Sequence, residues 1–280
     1  MKKRQGVYII LFNTILLLVL EILAHMKSGS VSILGEVFHM ASDLVTVTVG
    51  LFGTFIATKY SGGVNYTFGL VRVEVLAAAA SLILIWLPSI YVVNLSISRY
   101  FNPAAIDRDV VVITGFASLV INLVNFFVSL RMTKSRDTDM SVTSIYIHAL
   151  SDLTQCIGVL MSGLVLYLDP SFVIVDLIAA VFSACVCFYG SLGLLKEVLG
   201  MLLDKSPVDV NMVRMRIMKV EKVISVNDIR VWCISRGNRI TMANITVEKE
   251  AESEKILWEC KKILRKEYSI SLSCIEVHKE

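Results

Sequence analysis

Two pairs of histidine and aspartate lie inside apolar stretches of this chain. His39 precedes Asp43 by four residues, and His148 precedes Asp152 by the same interval. On an α-helix, residues four apart lie on one face, one turn from each other. If the two helical faces meet, two imidazole nitrogens and two carboxylate oxygens converge. Such a set of ligands suits tetrahedral Zn2+ without any thiolate, and the two carboxylates would balance the charge of the ion. Co2+, Cd2+, Mn2+ and Fe2+ are alternatives, because affinity alone discriminates poorly among divalent metals.

A hydrogen-bonded pair is the competing interpretation of each motif, and for one isolated His-x-x-x-Asp it is the commoner one. Here the same spacing occurs twice in a chain with four histidines. Both pairs lie within apolar segments, where an ionisable side chain is costly and therefore indicates function. We therefore predict a divalent-metal site formed by His39, Asp43, His148 and Asp152.

Other ionisable residues are weaker candidates. Glu36 lies one turn before His39 and is a candidate carboxylate for ion entrance or proton transfer, with a headgroup-level charge as the alternative. Glu21 is expected near the membrane interface. His278 and Glu280 form a candidate weak peripheral metal site, against the alternative of a solvated C-terminal tail. The six cysteines include no Cys-x-x-Cys pair, which favours reduced thiols over disulfides or a thiolate zinc site.

The elements that must position these residues are predicted to be membrane-spanning helices. The chain has 280 residues, of which 55% are hydrophobic and 18% charged, whereas soluble domains carry about 25% charged residues. About 20 mainly apolar residues cross a bilayer as a helix. Six segments qualify: 7–26, 32–57, 70–96, 109–131, 142–168 and 171–195. The net charge of +3 gives no reason to expect nucleic acid as a partner; the lipid bilayer is the expected one.

Charged residues become frequent after residue 195, which predicts a transmembrane domain over 1–200 and a soluble domain over 201–280. The second domain is predicted as helix 208–220, strands 223–232 and 239–247, helix 251–266 and strand 270–277. This αββαβ order is typical of a small α+β fold. The fold class is therefore an α-helical membrane protein of six transmembrane helices followed by a small cytoplasmic α+β domain.

The distribution of lysine and arginine predicts the orientation. Nine basic residues lie in the N-terminus, the second and fourth loops and the start of the tail, against three in the other loops, so both termini are expected in the cytoplasm. The nine are Lys2, Lys3, Arg4, Lys59, Arg72, Arg131, Lys134, Arg136 and Lys196, and the three are Lys27, Arg99 and Arg108.

The chain resembles the cation diffusion facilitator family, on the side of the eukaryotic zinc transporters. Residues 38–44 (FHMASDL) resemble the family's second-helix motif, and residues 148–152 (HALSD) resemble its fifth-helix motif. Residues 66–69 (YTFG), followed by Arg72 and Glu74, resemble its loop into the third helix, and residues 226–232 (VNDIRVW) resemble the first strand of its cytoplasmic domain.

The resemblance implies that the four His and Asp residues are transport ligands. It also implies a homodimer, Zn2+ as the transported substrate without an organic cofactor, and export of Zn2+ from the cytosol in exchange for protons. Two departures limit what is carried over. The loop between the fourth and fifth helices contains no histidine, and Asn227 and Asn244 stand where relatives often have metal-binding histidines.

Two other functions compete with Zn2+/H+ antiport by alternating access. A membrane-embedded metal-dependent hydrolase would need an open coordination position and a general base, for which Glu36 is the candidate. A non-transporting partner subunit would not need its four ligands. The vacuolar or another endomembrane and the plasma membrane are equally compatible with the sequence.

Overall fold

The computed structural model describes residues 3–59, 65–133, 140–235 and 237–280. Six long helices come first: α1 Lys3–Ser28, α2 Val31–Lys59, α3 Val73–Phe101, α4 Arg108–Thr133, α5 Met140–Leu168 and α6 Ile174–Leu202. Each contains a stretch long and apolar enough to cross a membrane. The prediction of six spans is confirmed. The third and sixth helices begin three residues later than predicted, since short turns precede them. Lys2, Lys134 and Arg136, used above for orientation, lie outside the described residues.

The first compact unit comprises residues 1–47 and 81–192. In it, α4 packs along α5 and α1 packs along α4. A Cβ atom at Gly115 of α4 would lie 2.9 Å from the Cα of Leu160 in α5, and one at Gly163 of α5 would lie 3.0 Å from Val111 of α4. These two glycines therefore allow the backbones of α4 and α5 to approach closely, as small residues do between membrane helices.

A buried carboxylate fastens the start of α2 to the start of α6. Asp176 is fully buried and accepts hydrogen bonds from the Oγ atoms of Ser30 (2.6 Å) and Ser32 (2.5 Å). It also accepts from the backbone N–H groups of Val31 (2.8 Å) and Ser32 (3.4 Å). The first N–H groups of a helix have no partner within the helix, so Asp176 acts as a cap supplied by another helix. The helix that carries His39 and Asp43 is thereby fixed at its beginning.

The second compact unit comprises residues 48–80 and 193–280. Its C-terminal part contains α7 Val210–Ile217, β1 Val223–Ser235, β2 Asn238–Val247, α8 Ser253–Tyr268 and β3 Ile270–Lys279. The sheet order is β1-β2-β3; β1 pairs antiparallel with β2, and β2 pairs parallel with β3.

The predicted αββαβ order of this part is confirmed. Its core lies between the sheet and the two helices, and includes Val213 and Ile217 of α7, Ile245 of β2 and Cys260 and Leu264 of α8. Arg236, between β1 and β2, lies outside the described residues. The predicted domain boundary at residue 200 stays a prediction.

Candidate metal centre

The two His-x-x-x-Asp motifs face each other across α2 and α5. His39 Nε2 lies 3.1 Å from Asp152 Oδ1, and His148 Nε2 lies 3.0 Å from Asp43 Oδ2. Within each helix the separations are longer, 3.7 Å for His39–Asp43 and 3.9 Å for His148–Asp152. The two imidazole rings lie 5.8 Å apart between centroids. Each histidine therefore contacts the aspartate of the other helix more closely than its own.

The exposure of the four side chains is uneven. His39 is 11% exposed and Asp152 18%, whereas Asp43 is 29% and His148 49% exposed. Across the described ranges, with their gaps at 60–64, 134–139 and 236, the group of three or more metal-ligand residues with atoms within 4.8 Å of one another is His39, Asp43 and Asp152. His148 is not part of this group, but its Nε2 contacts Asp43 on the more exposed side of the site.

The His–Asp separations are close to the spacing of ligand atoms around one tetrahedral ion. Ligand atoms about 2.0–2.1 Å from a zinc ion in tetrahedral geometry lie roughly 3.3 Å from one another. The His–Asp separations between 3.0 and 3.9 Å lie on both sides of that value. Three donors are therefore grouped for a divalent cation, and His148, whose Nε2 lies 3.0 Å from Asp43, would have to shift toward the group to complete the set.

Two further carboxyl groups lie next to this centre. Glu21 of α1 is fully buried and accepts a hydrogen bond from Ser118 Oγ of α4 at 2.8 Å; its place near the membrane interface stays a prediction. Glu36 of α2 is 3% exposed, and its side chain interacts with that of Glu21. Glu36 is therefore enclosed by protein. Glu21 Oε2 and Glu36 Oε1 have no donor from the described residues.

Sequence reasoning missed two residues, one that caps α2 and one that contacts His39. Asp176 carried a usable signal, because a carboxylate at the start of an apolar span is costly. Cys187 of α6 gave no signal by type or spacing, yet its Sγ lies 3.2 Å from His39 Nδ1. A further polar contact joins α5 to α6, where Gln155 Oε1 accepts a hydrogen bond from Ser183 Oγ at 2.6 Å.

The peripheral candidates lie in the C-terminal part. His278 Nε2 lies 3.5 Å from Glu276 Oε1, and both side chains are at least half exposed. Glu280 donates its backbone N–H to the carbonyl of Val247 at 3.0 Å. Asn227 donates to Thr246 Oγ1 at 2.9 Å and to Asn244 Oδ1 at 3.4 Å. The metal role of His278 and Glu280 stays a prediction.

Two thiols in this part, Cys233 and Cys260, have raised pKa values. Burial raises the pKa of Cys260 to about 11. Burial also raises the pKa of Cys233 above its ordinary value, although Arg239 opposes the shift. A thiol with a raised pKa is a poor nucleophile and a poor metal ligand. All six cysteines are free, as the sequence predicted.

The fold defines a multi-pass integral membrane protein, and nitrogen and oxygen donors gathered between two of its helices are what a carrier of metal ions requires. The chain belongs to the cation efflux family. Residues 7–203 match the family's transmembrane domain, described as "Cation efflux transmembrane domain", and residues 206–280 match the "Cation efflux protein, cytoplasmic domain". The resemblance seen in the sequence is confirmed, and this membership makes the chain a metal-cation transport protein.

Individual relatives are distant but match along most of the chain. Metal tolerance protein A2 of Arabidopsis thaliana is 20% identical over 94% of this chain and 79% of the relative. The proton-coupled zinc antiporter SLC30A8 of Xenopus laevis is 27% identical over 85% of this chain and 68% of its own length. Its human counterpart is 25% identical over 93% and 72%, respectively. None of these three names denotes an enzyme.

Proposed function

We propose that this protein exports Zn2+ from the cytosol by exchange with protons, and that His39, Asp43, His148 and Asp152 hold the ion during transport. The observation that carries the proposal is the crossed arrangement of α2 and α5, in which each imidazole Nε2 faces a carboxylate of the opposite helix. Two neutral imidazoles and two carboxylates give a neutral complex with Zn2+, which lowers the cost of holding the ion away from water. Two of the relatives above are named as proton-coupled zinc antiporters.

Alternating access is supported by the uneven exposure of the ligands. Asp43 follows His39 along α2, and His148 precedes Asp152 along α5. With both termini in the cytoplasm, Asp43 and His148 lie toward the cytoplasmic ends of their helices. These two ligands are also the more exposed ones. In this conformation the site can therefore receive an ion from the cytosol. Glu36 and Glu21 lie on the other side of the site, away from the cytosol.

Proton exchange has two physical sources at this centre. A metal ion requires the neutral form of each histidine ring, so binding releases any proton held there. In addition, two carboxyl groups in contact and away from water cannot both be ionised, because like charges at that distance repel strongly. We propose that Glu21 and Glu36 share one proton, which makes Glu36 the proton-linked residue of the transport cycle.

Membership of the cation efflux family also bears on the domain organisation and the oligomeric state. We propose that residues 1–200 form the transmembrane domain, and that residues 201–280 form a cytoplasmic domain through which two copies associate as a homodimer. The matched cytoplasmic domain supports this division. A hydrolase is disfavoured because four protein ligands leave no open position for the water that catalytic zinc requires. The partner-subunit alternative is disfavoured because the four ligands are complete.

The experiment is metal uptake into proteoliposomes with an imposed proton gradient. The wild type is compared with Asp43→Asn and Asp152→Asn, and with Asp169→Asn as a matched control in an exposed loop. We expect Zn2+ uptake with the wild type and the control and none with the two site variants. Uptake by both site variants at the wild-type rate would refute the site. Transport of Mn2+ or Fe2+ without Zn2+ would refute the metal assignment and leave the site standing.

The role of the acid pair has its own measurement. Glu36→Gln and Glu21→Gln keep the size of each side chain and remove one ionisable group. We expect both variants to release fewer protons per Zn2+ bound than the wild type, measured with a pH-sensitive dye in weakly buffered solution. An unchanged ratio in both variants would show that the histidines alone account for the exchange.

A further inference from the structure

The second ring nitrogen of His39 has a specific partner on a third helix. While Nε2 faces Asp152 of α5, Nδ1 lies 3.2 Å from the Sγ atom of Cys187 in α6. The ring is therefore held from both sides, by a carboxylate at one nitrogen and by a thiol at the other. His39 is the least exposed of the four predicted ligands.

When the imidazole of His39 binds a metal ion, its chemistry determines which atom donates the hydrogen bond to the other. When Nε2 presents its lone pair to an ion, the ring hydrogen must be on Nδ1, and a partner that accepts from Nδ1–H fixes both the tautomer and the ring orientation. A thiol sulfur is a weak acceptor of hydrogen bonds. Water is the natural acceptor for the half-exposed His148, but the buried His39 needs an acceptor from the protein.

The sulfur reaches His39 because one face of α6 lies along α2. Asp176, Ser183 and Cys187 are spaced by seven and four residues, which places them on one face of a helix with 3.6 residues per turn. Asp176 contacts Ser30 and Ser32 at the start of α2. Ser183 follows, with its Cβ 3.5 Å from where a Cβ of Gly35 would lie. Cys187 then meets His39 one turn further along α2.

We propose that Cys187 is a positioning residue of the metal centre: its sulfur accepts the Nδ1–H of His39 and holds Nε2 toward Asp43 and Asp152. This inference rests on the proposed function, because it assigns Nε2 of His39 as the metal-binding nitrogen. Cys187 itself does not bind the ion in this arrangement. Loss of such a partner typically weakens metal binding about 10- to 100-fold. Because sulfur is a weak acceptor, we expect an effect of about tenfold.

The test is Zn2+ and Co2+ binding by the purified full-length protein in detergent, with chelator competition for affinity and the Co2+ absorption spectrum for ligand geometry. Cys187→Ala and Cys187→Val remove the acceptor, the second with little loss of volume, whereas Cys187→Ser keeps one. Cys185→Ala, at an exposed position two residues earlier in α6, is the matched control. We expect the alanine and valine variants to bind both ions about tenfold more weakly, with an altered Co2+ spectrum, and the serine and control variants to resemble the wild type.

Three results would overturn the proposal. Alanine and valine variants with wild-type affinity would show that the contact has no role. A serine variant as weak as the alanine variant would show that packing, and not hydrogen bonding, is responsible. A sulfur-to-cobalt charge-transfer band in the wild type that is absent from Cys187→Ser would make Cys187 a ligand. Failure of the proposed function is distinguishable, because then His39→Ala and Asp152→Asn would also leave Zn2+ affinity unchanged.

Discussion

Replacement of Asp176 by asparagine tests how firmly α2 is held. The carboxylate of Asp176 is fully buried and accepts four hydrogen bonds, two at each oxygen. Both serine hydroxyls donate to Oδ1, and the backbone N–H groups of Val31 and Ser32 point at Oδ2. In Asp176→Asn, the amide oxygen can keep the two hydroxyls. The amide NH2 then faces the two backbone donors, which lose their acceptor.

The magnitude follows from those two lost bonds. A hydrogen bond to a charged group contributes about 1.5–3 kcal/mol, so two of them contribute about 3–6 kcal/mol. Since the side chain can shift to recover part of one bond, we expect the lower half of that range. For a protein of this size, 1 kcal/mol corresponds to about 2–4 °C in Tm. The expected decrease in Tm is therefore about 10 °C.

The assay is thermal unfolding of the detergent-solubilised protein, with Asp169→Asn as the control. Asp169 lies in the loop before α6, is exposed, and accepts hydrogen bonds from the N–H and hydroxyl of Ser171. These bonds lower the pKa of Asp169, but solvent can replace them, so the control should change Tm little. Equal Tm values for Asp176→Asn and the wild type would refute the reasoning, since they would mean that the backbone donors of α2 need no carboxylate.

Two further perturbations have outcomes set by the structure. Gly115→Ala should lower Tm in the same assay, because its Cβ would lie 2.9 Å from the backbone of Leu160 and overpacking costs about 1–3 kcal/mol. The control is Gly158→Ala, whose added Cβ would have no atom within 4 Å. Equal changes in Tm for the two variants would refute the explanation by close packing. Arg216 donates two hydrogen bonds of 2.8 and 2.7 Å to the two oxygens of Glu267 and lowers the pKa of that carboxyl below its ordinary value near 4.5. A carboxyl with a lowered folded-state pKa stabilises the fold above its ordinary pKa, and this contribution is lost as the pH falls through the folded value. Unfolding by denaturant should therefore separate the wild type from Glu267→Gln at pH 7 and bring them together under acid conditions; a difference that persists in acid would contradict the pairing.

The sequence was sufficient to predict the elements because each one is specified locally. Six apolar runs of membrane length predict six helices whatever their packing. In the C-terminal part, the alternation in Ile270–Lys279 and the apolar stripe of Ser253–Tyr268 predict a strand and a helix from period alone. The beginnings of α3 and α6 were placed too early, because the turns before them are also apolar and hydropathy does not distinguish a turn from the first turn of a helix.

The residues of the candidate site differ in how easily the sequence reveals them. An ionisable side chain without a function would be energetically costly inside a membrane span, whereas a thiol would not. His39 and His148 were found because an imidazole and a carboxylate one turn apart are expensive inside a membrane. Glu21 is costly inside a span for the same reason, but no local pattern contains its hydrogen bond with Ser118 of α4. Cys187 is inexpensive in an apolar span, so its type carried no signal at all. Its proximity to His39 depends on how α6 lies along α2, which is set at Asp176, eleven residues earlier. Residues that hold a ligand in place therefore escape sequence reasoning when membranes tolerate them, and their roles must be read from the packing of helices.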